Sequence, residues 1–166
     1  MSATYIDQTI WASSPAELGL TKEQWEFEQK WLKDFNDATD AIDWEQWKDF
    51  WHEGRNLDAF FNFCGSSRIE GKMALGKYFK EYFMGYKQME HKPTRHSFDV
   101  SRGIIYQSLI VSSVVKGDKR DRSIAVQGVT LIHKRVGESQ TRGLEVYADV
   151  SPLADWIQKV TSEIHS

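Results

Sequence analysis

Trp25, Leu32, Phe35, Thr39 and Ile42 recur at intervals of three, four or seven residues, which is the spacing of one face of an α-helix. Thr21, with Gln24 three positions on, supplies a capping box at its start, so a long amphipathic helix is predicted from there. Asp43 can cap a second helix whose Trp44, Trp47, Phe50 and Trp51 share a face, with Gly54 of "HEGRN" as its stop. "LDAFFNFCG" reads as a short aromatic strand. "GKMALGKYFKEYFMGYKQ" reads as a third helix, with Leu75, Phe79, Tyr82, Phe83 and Tyr86 on one stripe, although Gly76 and Gly85 weaken it.

After Pro93 the period changes. "HSFDV", "IIYQSLIVSSVVKG", "SIAVQGVTLIHKRVG" and "LEVYADV" are rich in Val, Ile and Tyr, and the turn-like segments "KGDKRDR" and "GESQTRG" separate the last three. They predict an antiparallel meander. Ser151 and Pro152 then occupy N-cap and first-turn positions for a closing helix that carries Leu153, Trp156, Ile157, Val160 and Ile164. The expected fold is α+β, a curved antiparallel sheet wrapped around N-terminal helices with a helix at the C-terminus. Residues 1–20 are expected as an arm lying against a single domain of residues 21–166.

Composition narrows the partners. A chain of 166 residues suits one domain with a sizeable core. The formal charge of −3, with both signs interspersed, offers no broad basic face, so neither nucleic acid nor an anionic membrane is an expected partner. Cys64 is the only cysteine, which excludes an intramolecular disulfide and a cysteine-based zinc cage and suits a reducing compartment. No basic flank leads into an apolar core at the N-terminus, and no apolar run has the length of a membrane span. A cytoplasmic protein is expected. The aromatic content of 13%, with seven tryptophans, fits either an aromatic-lined pocket or simply a bulky core.

Histidine and carboxylate are the residues to follow. His96 shares a face with Phe98 and Val100 if its strand alternates regularly. Within a pocket it could take and return a proton, with Asp40 orienting its ring; outside one it would tie strand to helix, and Asp40 would cap a helix end. Tyr106, Tyr147 and Asp149 lie on strands whose alternate residues could line an interior, and Tyr82 stands on the third helix. His133 is expected on the outer face, at a subunit contact. His91 and His96 are five apart with Pro93 between them, which matches neither a helical nor a strand ligand pair, so no metal site is assigned. No phosphate loop, nucleophile elbow or Cys/His arrangement is present, and no cofactor is expected.

Four segments carry a resemblance: "DATDAIDWEQWKDFW", "IEGKMALGKYFKEYF", "TRHSFDV" and "EVYADVSPL". In this order, and across roughly Trp25 to Ile157, they resemble the SnoaL-like branch of the NTF2-like superfamily. The resemblance implies a conical barrel with a deep apolar pocket, often in homodimers. Scytalone dehydratase, ketosteroid isomerase and polyketide cyclases are enzymes of this shape, whereas the nuclear transport factor is a binding protein. Asp40 matches the helix-junction aspartate of the dehydratase, and His96 matches one of its two catalytic histidines. The second histidine has no counterpart around Ser112 to Val114. The dehydratase asparagine falls on or beside Gly128, with Gln127 facing the other way. The isomerase's general base falls near Asn62, which cannot remove a proton. The resemblance thus implies a cofactor-independent acid/base enzyme, a dehydratase, isomerase or cyclase, acting on a small apolar or aromatic oxygenated metabolite. His96 would shuttle the proton, Asp40 would orient it, and Asn62, Tyr82, Tyr106, Tyr147 and Asp149 would hold substrate oxygens. The alternative is a non-catalytic binding or protein-interaction domain.

Overall fold

The computed structural model describes residues 14–53 and 59–164. Most of the expected arm and the Gly54 helix stop lie outside them. Within the arm, Ser14 caps a single 3-10 turn, Pro15–Leu18. The first long element is α1, Lys22–Asp40, opened by the Thr21/Gln24 capping box in both directions. It is followed by α2, Trp44–Trp47, capped by Asp43, and a 3-10 turn, Lys48–Phe50. The short strands β1, Phe60–Phe63, and β2, Ile69–Glu70, lead into α3, Lys72–Phe83. Four strands come next: β3, Tyr86–Asp99; β4, Ile104–Val115; β5, Ser123–His133; and β6, Gly143–Ala148. The helix α4, Ser151–Ile164, closes the described chain. No helix among the described residues is long and apolar enough to cross a membrane.

The sheet runs β2-β1-β6-β5-β4-β3. Its last four strands form the expected antiparallel meander. The sheet as a whole is mixed, because β1 returns parallel to β6. A strand and a helix separate β1 from the meander, so nothing obliges β1 to meet β6 as a hairpin.

Two expectations change along the middle of the chain. The third helix stops at Phe83 rather than running through Tyr86, and β3 starts at Tyr86 rather than after Pro93. Gly85 follows the helix end, and beyond it Met89 and His91 turn inward while Glu90 and Lys92 are exposed. Tyr86 stands at a helical interval from Phe83 and still packs on its ring at 6.2 Å, but it does so across a turn. The apolar stripe is therefore continuous in space although the helix is not.

A bulge in β3 sets which residues look inward. Pro93 pairs with Leu109 and Arg95 with Ser108, which leaves Thr94 as an extra residue whose hydroxyl donates to Ser108 O at 3.2 Å. Because side chains alternate along a strand, one extra residue reverses the parity. On one side of the bulge His91 pairs with Val111, and on the other His96 pairs with Gln107 and Phe98 with Ile105. Both histidines consequently share the concave face.

Most of the aromatic residues fill a core between that face and the helices. Trp47 packs on Phe79 at 4.8 Å and on Trp51 at 5.0 Å, and Phe35 lies 5.6 Å from Trp47. At the other end of α1, Glu28 and Lys134 form an ion pair that is wholly buried, with Nζ 2.6 and 2.7 Å from the two carboxylate oxygens. Glu28 also accepts the Gly137 N–H, and the Trp31 ring lies 4.7 Å from the ammonium. Burial pulls the Lys134 ammonium down from its ordinary range, and Glu28 opposes that pull.

Candidate active site

Beside the aromatic core the sheet and helices leave a cavity of about 110 Å³ with an almost entirely carbon wall. Phe61, Phe83, Met89, Leu109, Val111 and Val146 supply much of that wall, and Leu153 of α4 contributes from the C-terminal side. A few polar groups interrupt it, among them His91, Asn36, Gln107 and Tyr82.

At this wall Asp40 and His91 form a carboxylate–imidazole pair. Asp40 is the last residue of α1, and α1 crosses the concave face against β3. Its Oδ2 accepts the backbone N–H of His91 at 2.8 Å, and its Oδ1 lies 2.5 Å from the ring Nδ1. The two side chains are only 20% and 15% exposed. A carboxylate at a helix C-terminus receives no help from the helix dipole, so both oxygens take donors from the strand instead. With Nδ1 held as a donor to Asp40, Nε2 is the ring nitrogen left to accept a proton. His91 lines the cavity and Asp40 stands behind it.

No protein-family model matches the chain, and no curated protein does either. Solved structures do match. A proposed SnoaL-like polyketide cyclase from Shewanella denitrificans superposes with a TM-score of 0.64 at 13% identity, over 80% of this chain and 98% of its own. An NTF2-like protein of unknown function from Exiguobacterium superposes with a TM-score of 0.56 at 12% identity, over 72% and 98%. The chain has the SnoaL-like, NTF2-like fold. An epoxide hydrolase from M. tuberculosis, described as LEH-like, matches at a TM-score of 0.58 and 14% identity, over 80% and 90%. At such identities the likeness concerns the backbone alone.

Within the NTF2-like cone the expected site residues scatter. Asp40 is at the helix junction as expected, but its partner is His91 rather than His96, because the ring that meets the end of α1 lies on the near side of the bulge. His96 is half-buried one level further along β3, outside the cavity lining, with its Nε2 2.9 Å from the Gln107 amide nitrogen. Burial lowers its pKa from the ordinary value to about 4, so it is neutral at pH 7. Its expected companion Val100 lies beyond the end of β3 and is exposed. Gly128 lines the cavity while Gln127 is exposed on the other face. A Cβ at Gly128 would come within 2.9 Å of Tyr147 O, so this backbone leaves no space for a polar side chain there.

Tyr82 lines the cavity with its hydroxyl 3.5 Å from that of Tyr86, and burial pushes its phenol well above the usual range. Asn62 is partly buried on β1 and donates to Ser66 O within its own turn. Tyr106 pairs with Leu131 and Ser97, on the outer face. Tyr147 is 48% exposed and donates to Glu145, which also meets His133 at 2.6 Å on that face. Asp149 accepts the Ser151 N–H at 3.0 Å and so caps α4. Asn62, Tyr106, Tyr147 and Asp149 thus lie outside the cavity lining that holds His91.

Sequence reasoning missed His91, Asn36 and Gln107. A regular strand places residues five apart on opposite faces, so His91 and His96 could not both be inward without the bulge. The usable signal was Pro93 itself, because proline inside a strand marks an irregularity.

Proposed function

We propose that the protein is a cofactor-independent acid/base enzyme of dehydratase, isomerase or cyclase type, acting on a small, largely apolar, oxygenated molecule held in the cavity. The observation that carries this reading is the His91–Asp40 pair, with His91 on a mostly carbon-lined wall. Asp40 fixes the ring and its tautomer, so His91 Nε2 is presented as a base, and Asp40 stabilises the imidazolium formed when a proton arrives. The returning proton is delivered from the same nitrogen to a neighbouring carbon or a departing oxygen. Such chemistry needs one oriented base in a site with little water, and the wall supplies that condition. Tyr82, a phenol that lines the cavity, would donate to a substrate oxygen. The names of the structural neighbours, a cyclase and an epoxide hydrolase among them, support small-molecule chemistry in this fold.

The test is conversion of a library of small aromatic and terpenoid alcohols and ketones, read by mass spectrometry, with wild type beside His91→Asn. Conversion by the wild type, lost in the variant with folding intact, is expected. Equal conversion by both proteins would remove His91 from the mechanism. Binding without conversion by either would favour a non-catalytic carrier.

A further inference from the structure

The cavity holds a second polar level below the His91–Asp40 pair. Trp25, near the start of α1, packs on Phe98 at 6.0 Å, whereas Asp40, at its end, meets His91. The helix and β3 therefore run in opposite directions along the cavity. Asn36 lies one helical turn before Asp40, so it falls on the Trp25 side of the His91 level along the cavity. Gln107, the β4 partner of His96, falls on that side too. Both primary amides line the cavity, and they are only 6% and 1% exposed.

Their hydrogen-bonding capacity is unevenly used. The Asn36 amide nitrogen is buried without a partner, which is costly, and because Asn36 lines the cavity a small rotation of its side chain would bring that donor to a ligand there. The Gln107 amide nitrogen lies 2.9 Å from His96 Nε2. An amide nitrogen can only donate, so His96 Nε2 accepts and the ring proton resides on Nδ1. This uses one of the two Gln107 N–H donors and leaves its carbonyl oxygen for a ligand. A neutral His96 is required, since an imidazolium would have no acceptor to offer. Burial keeps it neutral across the physiological range.

We propose that Asn36 and Gln107 form an oxygen-recognition site on the cavity wall, held in register by His96 as a positioning residue, and that it selects molecules carrying a hydroxyl group. A hydroxyl donates to the Gln107 carbonyl and accepts from the Asn36 N–H through one oxygen. A ketone or ether oxygen only accepts, and would leave the Gln107 carbonyl unpaired. A second aliphatic group in its place would leave the Asn36 N–H and the Gln107 carbonyl unpaired. Calling the bound molecule a substrate rests on the acid/base reading of His91; the selectivity itself does not.

The test uses two one-ring probes of nearly equal shape, p-cresol and p-xylene, with binding measured by calorimetry. The cavity is somewhat smaller than the roughly 150 Å³ known to admit benzene, so single-ring probes are the right scale. A plain apolar cavity prefers the xylene, because the phenol must shed water. Wild type is expected to bind p-cresol at least about tenfold tighter than p-xylene, one good hydrogen bond's worth. Gln107→Leu and Asn36→Leu should each abolish or invert that preference, and His96→Phe should reduce it. In wild type the ¹⁵N spectrum should show His96 protonated on Nδ1 with Nε2 bare at pH 6, and Gln107→Leu should shift that tautomer balance.

Equal or tighter p-xylene binding by wild type would overturn the proposal, as would failure to bind either probe or a cresol preference that survives in Gln107→Leu. If Gln107→Leu does not fold, Asn36→Leu and the wild-type ratio decide. A His96 proton on Nε2 would remove the positioning role. His91→Asn should keep the cresol preference, which separates the two readings: preference without any conversion overturns the acid/base chemistry alone, and conversion without preference overturns this site alone.

Discussion

One carboxylate holds His91 at two points, its backbone N–H and its ring. Among the described residues His91 is the imidazole that lines the cavity, and His91→Asn should lower turnover by about 10²- to 10⁴-fold while the protein stays folded. Asp40→Asn should lower turnover less and also lower stability, by about 1–3 kcal/mol, because the β3 N–H loses its charged acceptor; urea unfolding checks the second effect. His96 makes a different prediction. Its pKa falls from 6.5 to about 4 on folding, so between those values the unfolded chain binds a proton that the folded one does not. Stability is then fully present above pH 6.5 and is lost as pH falls toward 4, by on the order of 3 kcal/mol for this group. Urea titrations at pH 7 and pH 4.5 should show that loss in wild type and a smaller one in His96→Gln. Asp40 was legible from its place between two helices. The choice between two histidines was not, since one unpaired residue, Thr94, decides which ring meets the carboxylate.

The bulge in β3 is the element on which the cavity wall depends. Deleting Thr94 restores strict alternation, and either His91 or the His96–Phe98 side must then turn outward. The loss should reach at least about 3 kcal/mol, comparable to emptying a buried aromatic position, and circular dichroism melting would report it. Helix contacts are equally close at Gly76, where a Cβ would lie 2.8 Å from the Trp44 ring. Gly76→Ala should therefore destabilise by about 1–3 kcal/mol, even though alanine is the better helix former. Helix starts were readable because Thr21 and Asp43 carry their own caps. The boundary between α3 and β3 was not, because Phe79, Phe83 and Tyr86 keep helical spacing across the turn and "KQMEHK" is too polar to look like a strand. Inward positions there are only Met89 and His91, and the rest of the segment faces water.

At the scale of the molecule, helices before a strand and four long strands after it imposed the cone, and the aromatic surplus was divided between core and cavity. Trp47 and Phe83 serve both, lining the cavity while stacking in the core. The buried Glu28–Lys134 pair left no trace in the sequence, because nothing local distinguishes those two residues from exposed ones on the same elements. Lys134→Met, which strands Glu28, should cost about 3–5 kcal/mol by urea unfolding, whereas Lys134→Met with Glu28→Leu should recover most of it. The measurement that bears most directly on the whole account is deuterium uptake from D₂O into the carbon-bound positions of small hydroxylated ketones, followed by mass spectrometry. Wild-type protein is expected to catalyse uptake into at least one such ketone, and His91→Asn to leave it at the uncatalysed rate; equal uptake with the two proteins would contradict a proton carried by His91.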